Sequence, residues 1–249
     1  LVFAQGPSFR GGDAAAVRVR EVTPDSVTAS LQEPNTLDGG HIAEKVTFFV
    51  IEAGSHVLAD GTLIEAGGLT SSKLSPQGFE QVTFATDFAE RPAILSQIQT
   101  FNGADFAVTR QDGADADGVR LTMQEEELLN GGGHVPETLG WVAISEGSGT
   151  WSGLDWEAGT TARAFGEAST RHAFDTPFDT APKVVGSISS FVGTDPAMLR
   201  FDGIDPAGFD ATVQEDQSAD AEVRHAPETL DYIAFAGTGA LTGFELDPV

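Results

Sequence analysis

The chain has 249 residues, 38 acids against 13 Lys and Arg, a formal charge of −25 and no cysteine. Such a charge argues against nucleic acid or an anionic membrane surface as partner, and suits a secreted protein in salty water or one that binds cations. There is no basis for a disulfide scaffold or a cysteine–zinc site, and no apolar run approaches the ~18 residues that would span a membrane. The chain starts at Leu1 without Met or signal peptide and reads as a mature fragment.

The predicted elements are strands throughout. Residues 1–5 form an apolar strand. Residues 17–22 and 27–31 alternate with period two around a turn at 23–26, where Pro24 presets the bend. Further strands are expected at 79–84, 93–99, 106–111 and 119–123, the last two joined by the acidic turn 112–118, and then at 139–144. The series recurs as 170–174, 183–189, 198–201 and 209–213, with a turn at 205–208 and a closing strand around Tyr232. No amphipathic helix is found, and Gly and Pro interrupt the strands at about the 8–12-residue spacing of a sandwich.

These elements belong to a repeat. Phe9, Phe101 and Phe191 each stand nine residues before Arg18, Arg110 and Arg200, and those arginines each stand fourteen before Gln32, Gln124 and Gln214. A Glu follows each Gln (Glu33, Glu125, Glu215), and a His-x-x-Glu closes each copy: His41 with Glu44, His134 with Glu137, His225 with Glu228. The predicted fold is all-β, a tandem repeat of antiparallel six-stranded β-sandwich units. Its divisions are a partial repeat at 1–58, full repeats at 59–148 and 149–237, and at 238–249 the start of a further repeat or a strand donated to a neighbour. Leu1 aligns with Ala93 and Lys183, so the first unit lacks counterparts of 79–88 and 170–178, and its sheets should expose open edges.

Residues 174–185, which contain Phe174-Asp175-Thr176-Pro177-Phe178, resemble the opening of an H-type lectin domain. Residues 208–213 are similar to that family's central strand, and Tyr232-Ile233-Ala234 to its closing aromatic-x-Ala. The second unit matches at 84–95 and at Trp141-Val142-Ala143. The resemblance implies a six-stranded sandwich that binds carbohydrate, in a family whose members form trimers. The Gln-Glu … His-x-x-Glu segment departs from that pattern, and no sugar-binding residue carries over.

Arg, Glu and His in each copy admit two chemistries. Two carboxylates and an imidazole can ligate zinc or manganese. Alternatively they form a structural network in which Glu pairs with Arg, accepts loop N–H groups and is closed by His. Recurrence in all three units favours the network, with Arg110 expected on Glu125 or Glu137 and Arg200 on Glu215 or Glu228. Phe101 and Phe191, with Trp141 and Tyr232, are expected in the cores. Asp115 and Asp117 resemble a calcium loop, but the other units lack these acids, so a solvated turn is the simpler reading and no cofactor is assigned beyond that calcium alternative. Trp151 and Asp155 lie in a Gly/Ser-containing loop and form the candidate sugar platform, a flat apolar face beside an acid. No nucleophile elbow, zincin helix motif or phosphate loop is present, so no enzyme is expected. The chain therefore reads as an extracellular lectin-like module for carbohydrate binding or adhesion. The alternative is a segment of an extracellular filament or matrix that pairs with copies of itself by strand exchange.

Overall fold

The computed structural model describes residues 1–241 and the backbone of 245–246. Every sheet among them is antiparallel, and the only helical element is one 3-10 turn at Ser75–Gln77. The first unit holds β1 (Val2–Phe3), β2 (Ala16–Val22), β3 (Val27–Gln32) and β4 (Phe49–Val50). The second holds β5 (Gly54–Val57), β6 (Leu63–Ser71), β7 (Glu80–Thr83), β8 (Ala93–Ile98), β9 (Ala107–Asp112), β10 (Gly118–Glu125) and β11 (Glu137–Ile144). The pairing of β5 with β6 moves the start of this unit ahead of the expected residue 59. The third repeats that series as β12 (Gly147–Trp151), β13 (Leu154–Thr160), β14 (Thr170–Ala173), β15 (Lys183–Ile188), β16 (Ala197–Asp205), β17 (Gly208–Glu215) and β18 (Leu230–Phe235), and β19 (Glu245–Leu246) follows. Each full unit has the five strands expected at named ranges, a sixth, β6 or β13, at a stretch where the sequence marks no strand, and a short opening strand, β5 or β12.

Each full unit faces an inner sheet against a three-stranded outer one. In the second unit these are β5-β6-β11-β8, extended by β19, and β7-β10-β9; in the third they are β12-β13-β18-β15 and β14-β17-β16. The core between them draws from both sheets: Leu139, Trp141 and Ala143 of β11 meet Val119, Leu121 and Met123 of β10, sealed by the edge-to-face pair Phe84 and Phe88. Leu230, Tyr232 and Ala234 meet Phe209, Ala211 and Val213 in the same way, sealed by Phe174 and Phe178.

The inner sheets are apolar on their other face too. Val142 and Ile144, alternating with the residues just named, join Leu95, Val185, Ile233, Phe3 and Phe49 in a central cluster fed by all three units. Burial on both faces is why 93–98, 139–144 and 184–188 carry apolar residues on both parities instead of alternating cleanly. A smaller cluster of Ala14, Ala16, Phe106, Val108 and Met198 joins the outer sheets of the three units.

The placement of the aromatic side chains differs in part from expectation. Trp141 and Tyr232 are core residues, but Phe101 and Phe191 are only half-buried, because they lie at unit junctions beneath an arginine from the preceding unit. In the first unit, among the described residues, β2 pairs only with β3 and β1 only with β4, so no described strand lies beside β3 or β4 where β7 and β6 lie in the second unit. The stretch 238–249 falls partly outside the described residues; within it, β19 pairs with β5.

Candidate functional site

Alternation along the outer strands aims one arginine per unit at its neighbour. Ala16, Val108 and Met198 point into the cluster that joins the outer sheets. Two residues on, with the same strand parity, stand Arg18, Arg110 and Arg200. All three are buried, so each charge needs a complete set of partners. Those partners come from the loop after β8, β15 or β1 of the next unit, and from the His-x-x-Glu that leads into its closing strand.

Glu137 shows the arrangement. Its carboxylate accepts the backbone N–H of Asn102 (3.0 Å) and Gly103 (2.9 Å) and the hydroxyl of Thr100, while Arg18 Nη2 donates from the first unit at 3.1 Å. His134 bridges Glu125, through Nδ1, and Glu137, through Nε2 at 3.4 Å. Glu228 repeats this with Val192 (3.0 Å), Gly193 (2.9 Å), Ser190, His225 Nε2 (3.2 Å) and Arg110 Nη2 (2.9 Å). Glu44 does so with Arg10 (2.9 Å), Gly11 (2.7 Å), Ser8, His41 Nε2 (3.1 Å) and Arg200 Nη2 (2.8 Å). His41 and His225 turn their Nδ1 to Glu33 and Glu215. Each guanidinium also lies over the next unit's phenylalanine: Arg18 over Phe101, Arg110 over Phe191 and Arg200 over Phe9, about 5 Å from the ring centres.

The pairing is therefore cyclic. Unit one reaches unit two, two reaches three, and three returns to one. The expected partners within a unit are corrected here: Arg110 binds Glu228, not Glu125 or Glu137, and Arg200 binds Glu44, not Glu215 or Glu228. The physical reason is strand parity, which turns each arginine out of its own sandwich. Gln124 and Gln214 support the fork by accepting from Arg110 and Arg200 at 2.8 Å and donating to Thr194 and Gly12 carbonyls at 2.7 Å. Gln32 keeps only the donation, to Ala104 at 2.8 Å.

These contacts fix the charges. Burial opposes ionisation of Glu137, but His134, the Gly103 and Asn102 N–H groups and Thr100 outweigh it and hold the carboxyl down at about 2. Glu44 and Glu228 are lowered against burial in the same manner. Hydrogen bonds to Glu125 and Glu137 raise His134 to about 9, so near neutral pH the ring is an imidazolium between two carboxylates. Both ring nitrogens then donate, one to each carboxylate. Among the described residues no group of three or more His, Asp or Glu is arranged to hold an ion.

The candidate sugar platform is built differently from expectation. Trp151 is only 6% exposed and packs in the central cluster near Phe235, joined there by Trp156, so it offers no open ring face. Asp155 is exposed and accepts from the Thr150 hydroxyl at 2.7 Å. Asp115 is occupied by its own turn, accepting the N–H groups of Asp117 (2.9 Å) and Gly118 (3.0 Å), the bonding of a capped turn.

Similarity to known proteins is long but low. The chain is 28% identical over 229 residues to halomucin of Haloquadratum walsbyi (strain DSM 16790 / HBSQ001), covering 91% of this chain and 2% of that protein. The chain thus spans a small fraction of the relative's length. No family model and no solved structure matches it.

Two parts of each junction escaped the reading of the sequence. The hydroxyls of Ser8, Thr100 and Ser190 and the glycines Gly11, Gly103 and Gly193 bracket the three phenylalanines as Ser/Thr-Phe-x-Gly, a signal present in every copy. The glycines are required sterically: a Cβ on Gly11, Gly103 or Gly193 would lie 2.7, 2.7 or 2.5 Å from the Cε1 atom of His41, His134 or His225.

Proposed function

We propose that this chain is a structural, adhesive repeat module of a long extracellular coat protein that works in concentrated salt. The cyclic network carries this reading: the buried polar residues that recur in every unit are used to bind unit to unit, which gives a stiff block suited to serial repetition. The relative's name, halomucin, and the small share of it that this chain matches support a place in a long surface protein. The excess of acids, 38 against 13 bases, keeps such a block hydrated and apart from its neighbours in brine. The reading assigns it no catalysis. Antibodies raised against the chain should label the outside of intact producing cells or their shed material. Signal confined to the interior after lysis overturns the proposal.

Carbohydrate recognition is the second reading. The cyclic set of three units in one chain is what the resemblance to H-type lectins, with their trimers, would lead one to look for. On a glycan array, saturable binding to one sugar class favours this reading, and a blank array with folded protein leaves the structural role.

A further inference from the structure

The first unit leaves uncovered what the other two bury. Phe48 occupies the register of Trp141 and Tyr232, and Val50 that of Ala143 and Ala234. Phe48 is 43% and Val50 59% exposed, against at most 7% for the four counterparts. Val27 and Leu31 of β3 are half-buried where Val119, Phe209, Met123 and Val213 are fully enclosed. The exposed side opens into a groove of about 1190 Å³ between the first unit, which lines it with 45–52 and the turn at 22–24, and the third, which lines it with 181–185, 201–204 and the stretch 237–241 that follows. Beside the groove, among the described residues, β3 and β4 each have one edge without a strand.

The chain itself shows, twice, what fills this place. In the second unit β6 pairs with β11 and β7 with β10, so one continuous segment adds a strand to each sheet and then seats Phe84 and Phe88 between them. In the third unit β13 and β14 do the same on β18 and β17, with Phe174 and Phe178 as the plug. The edges left open on β4 and β3 are those equivalent positions. β19, in register with Asp155 and Trp156 of β13, pairs with β5 and leaves β4 open.

We propose that the open side of the first unit receives the opening segment of another repeat of this kind, supplied by a neighbouring repeat of the same long polypeptide. The segment adds one strand to β4 and one to β3 and seats its two phenylalanines over Phe48. The choice of a neighbouring repeat as donor rests on the coat-protein reading; the groove and its occupant rest on the register of the repeats alone.

The test extends the full chain by a second copy of residues 149–182 ahead of Leu1, the register in which 182 precedes Lys183. The extension should slow amide exchange of 27–31 and 46–51 by at least about tenfold. It should also abolish binding of an apolar dye such as bis-ANS and raise the melting temperature by about 5 °C or more. Phe174→Ala with Phe178→Ala in the added copy alone should cancel most of these gains. The same segment supplied as a separate peptide to the 249-residue chain reports protection of the same amides and does not depend on the fusion's folding. A folded chain that gains no protection at 46–51 from extension or peptide overturns the proposal. So does a 249-residue chain that pairs with its own kind, hides Val50 on dimerising, and resists competition by the peptide. Neither result bears on surface labelling of cells, so the two readings fail separately.

Discussion

Replacing Arg110 with Leu removes a buried guanidinium that donates to Glu228 at 2.9 Å and Gln124 at 2.8 Å and touches the carbonyls of Ser190, Gly193 and Asp195 at 3.3–3.4 Å. Leu fills part of the volume over Phe191 but satisfies none of these acceptors. Glu228 is left buried and charged, because Val192, Gly193, Ser190 and His225 still favour its ionised form. One-sided loss of a buried pair costs about 3–5 kcal/mol. At roughly 2–4 °C per kcal/mol for a chain of this size, the melting temperature should fall by about 6–20 °C. A double-mutant cycle identifies the partner: Arg110→Leu with Glu228→Gln should couple by more than about 1 kcal/mol, and with Glu137→Gln by less than about 0.5 kcal/mol. Coupling of the second pair that exceeds the first would refute the cyclic assignment.

The remaining predictions concern pH, fit and salt. His134, raised to about 9 from 6.5, contributes fully below pH 6.5 and loses that contribution as pH climbs through 9. Glu137, lowered to about 2 from 4.5, contributes above pH 4.5 and loses its share as pH falls through 2. Melting temperature should therefore be highest between about pH 4.5 and 6.5 and decline on both sides, and His134→Gln should flatten the alkaline limb; an alkaline limb unchanged in that variant contradicts the assignment. Gly103→Ala should cost about 1–3 kcal/mol by pushing His134 off Glu137, while Gly131→Ala, with open space at its Cβ, should be close to neutral; equal losses in urea titrations would remove the steric argument. Raising salt from about 0.1 M to above 1 M shortens the Debye length from ~10 Å to ~3 Å, so the melting temperature should rise as repulsion among exposed acids is screened. The buried pairs are little affected by salt, and a falling melting temperature would show that exposed ion pairs dominate instead.

The repeat, five strands of each full unit and the Arg, Gln, Glu and His of the network were legible in the sequence; β6 and β13, the hydroxyl and glycine partners, and which Arg meets which Glu were not. Strand period and turn residues act over a few positions, and the 9- and 14-residue spacings recur in each copy, so linear pattern locates Phe101, Arg110 and Gln124 directly. A repeat offers three equivalent arginines and three equivalent glutamates, and spacing is the same whether Arg110 pairs with Glu137 or with Glu228. Only the direction in which β9 turns its odd and even residues decides. Trp151 misled for a related reason: its Gly/Ser surroundings read as an exposed loop, whereas the central cluster it enters exists only once three units have assembled.

The three junctions are chemically alike, and the chain between partners differs little: 119 residues for Arg18–Glu137, 118 for Arg110–Glu228 and 156 for Arg200–Glu44. Since loop-closure cost grows as the logarithm of length, this difference amounts to only a few tenths of a kcal/mol. Unequal losses on breaking the junctions must then come from how firmly each side is held. Arg110 joins two complete sandwiches, whereas Arg18 and Arg200 each abut the first unit, whose β3 and β4 each have one edge unpaired among the described residues. A compliant surround relaxes around an orphaned group and lowers the cost of making it. Arg18→Leu and Arg200→Leu should therefore lower stability by less than Arg110→Leu. The gap should narrow once a segment equivalent to 149–182 occupies the open groove. Three equal losses in urea titrations of the 249-residue chain would mean that the first unit is as firmly held without those strands as the others are with them.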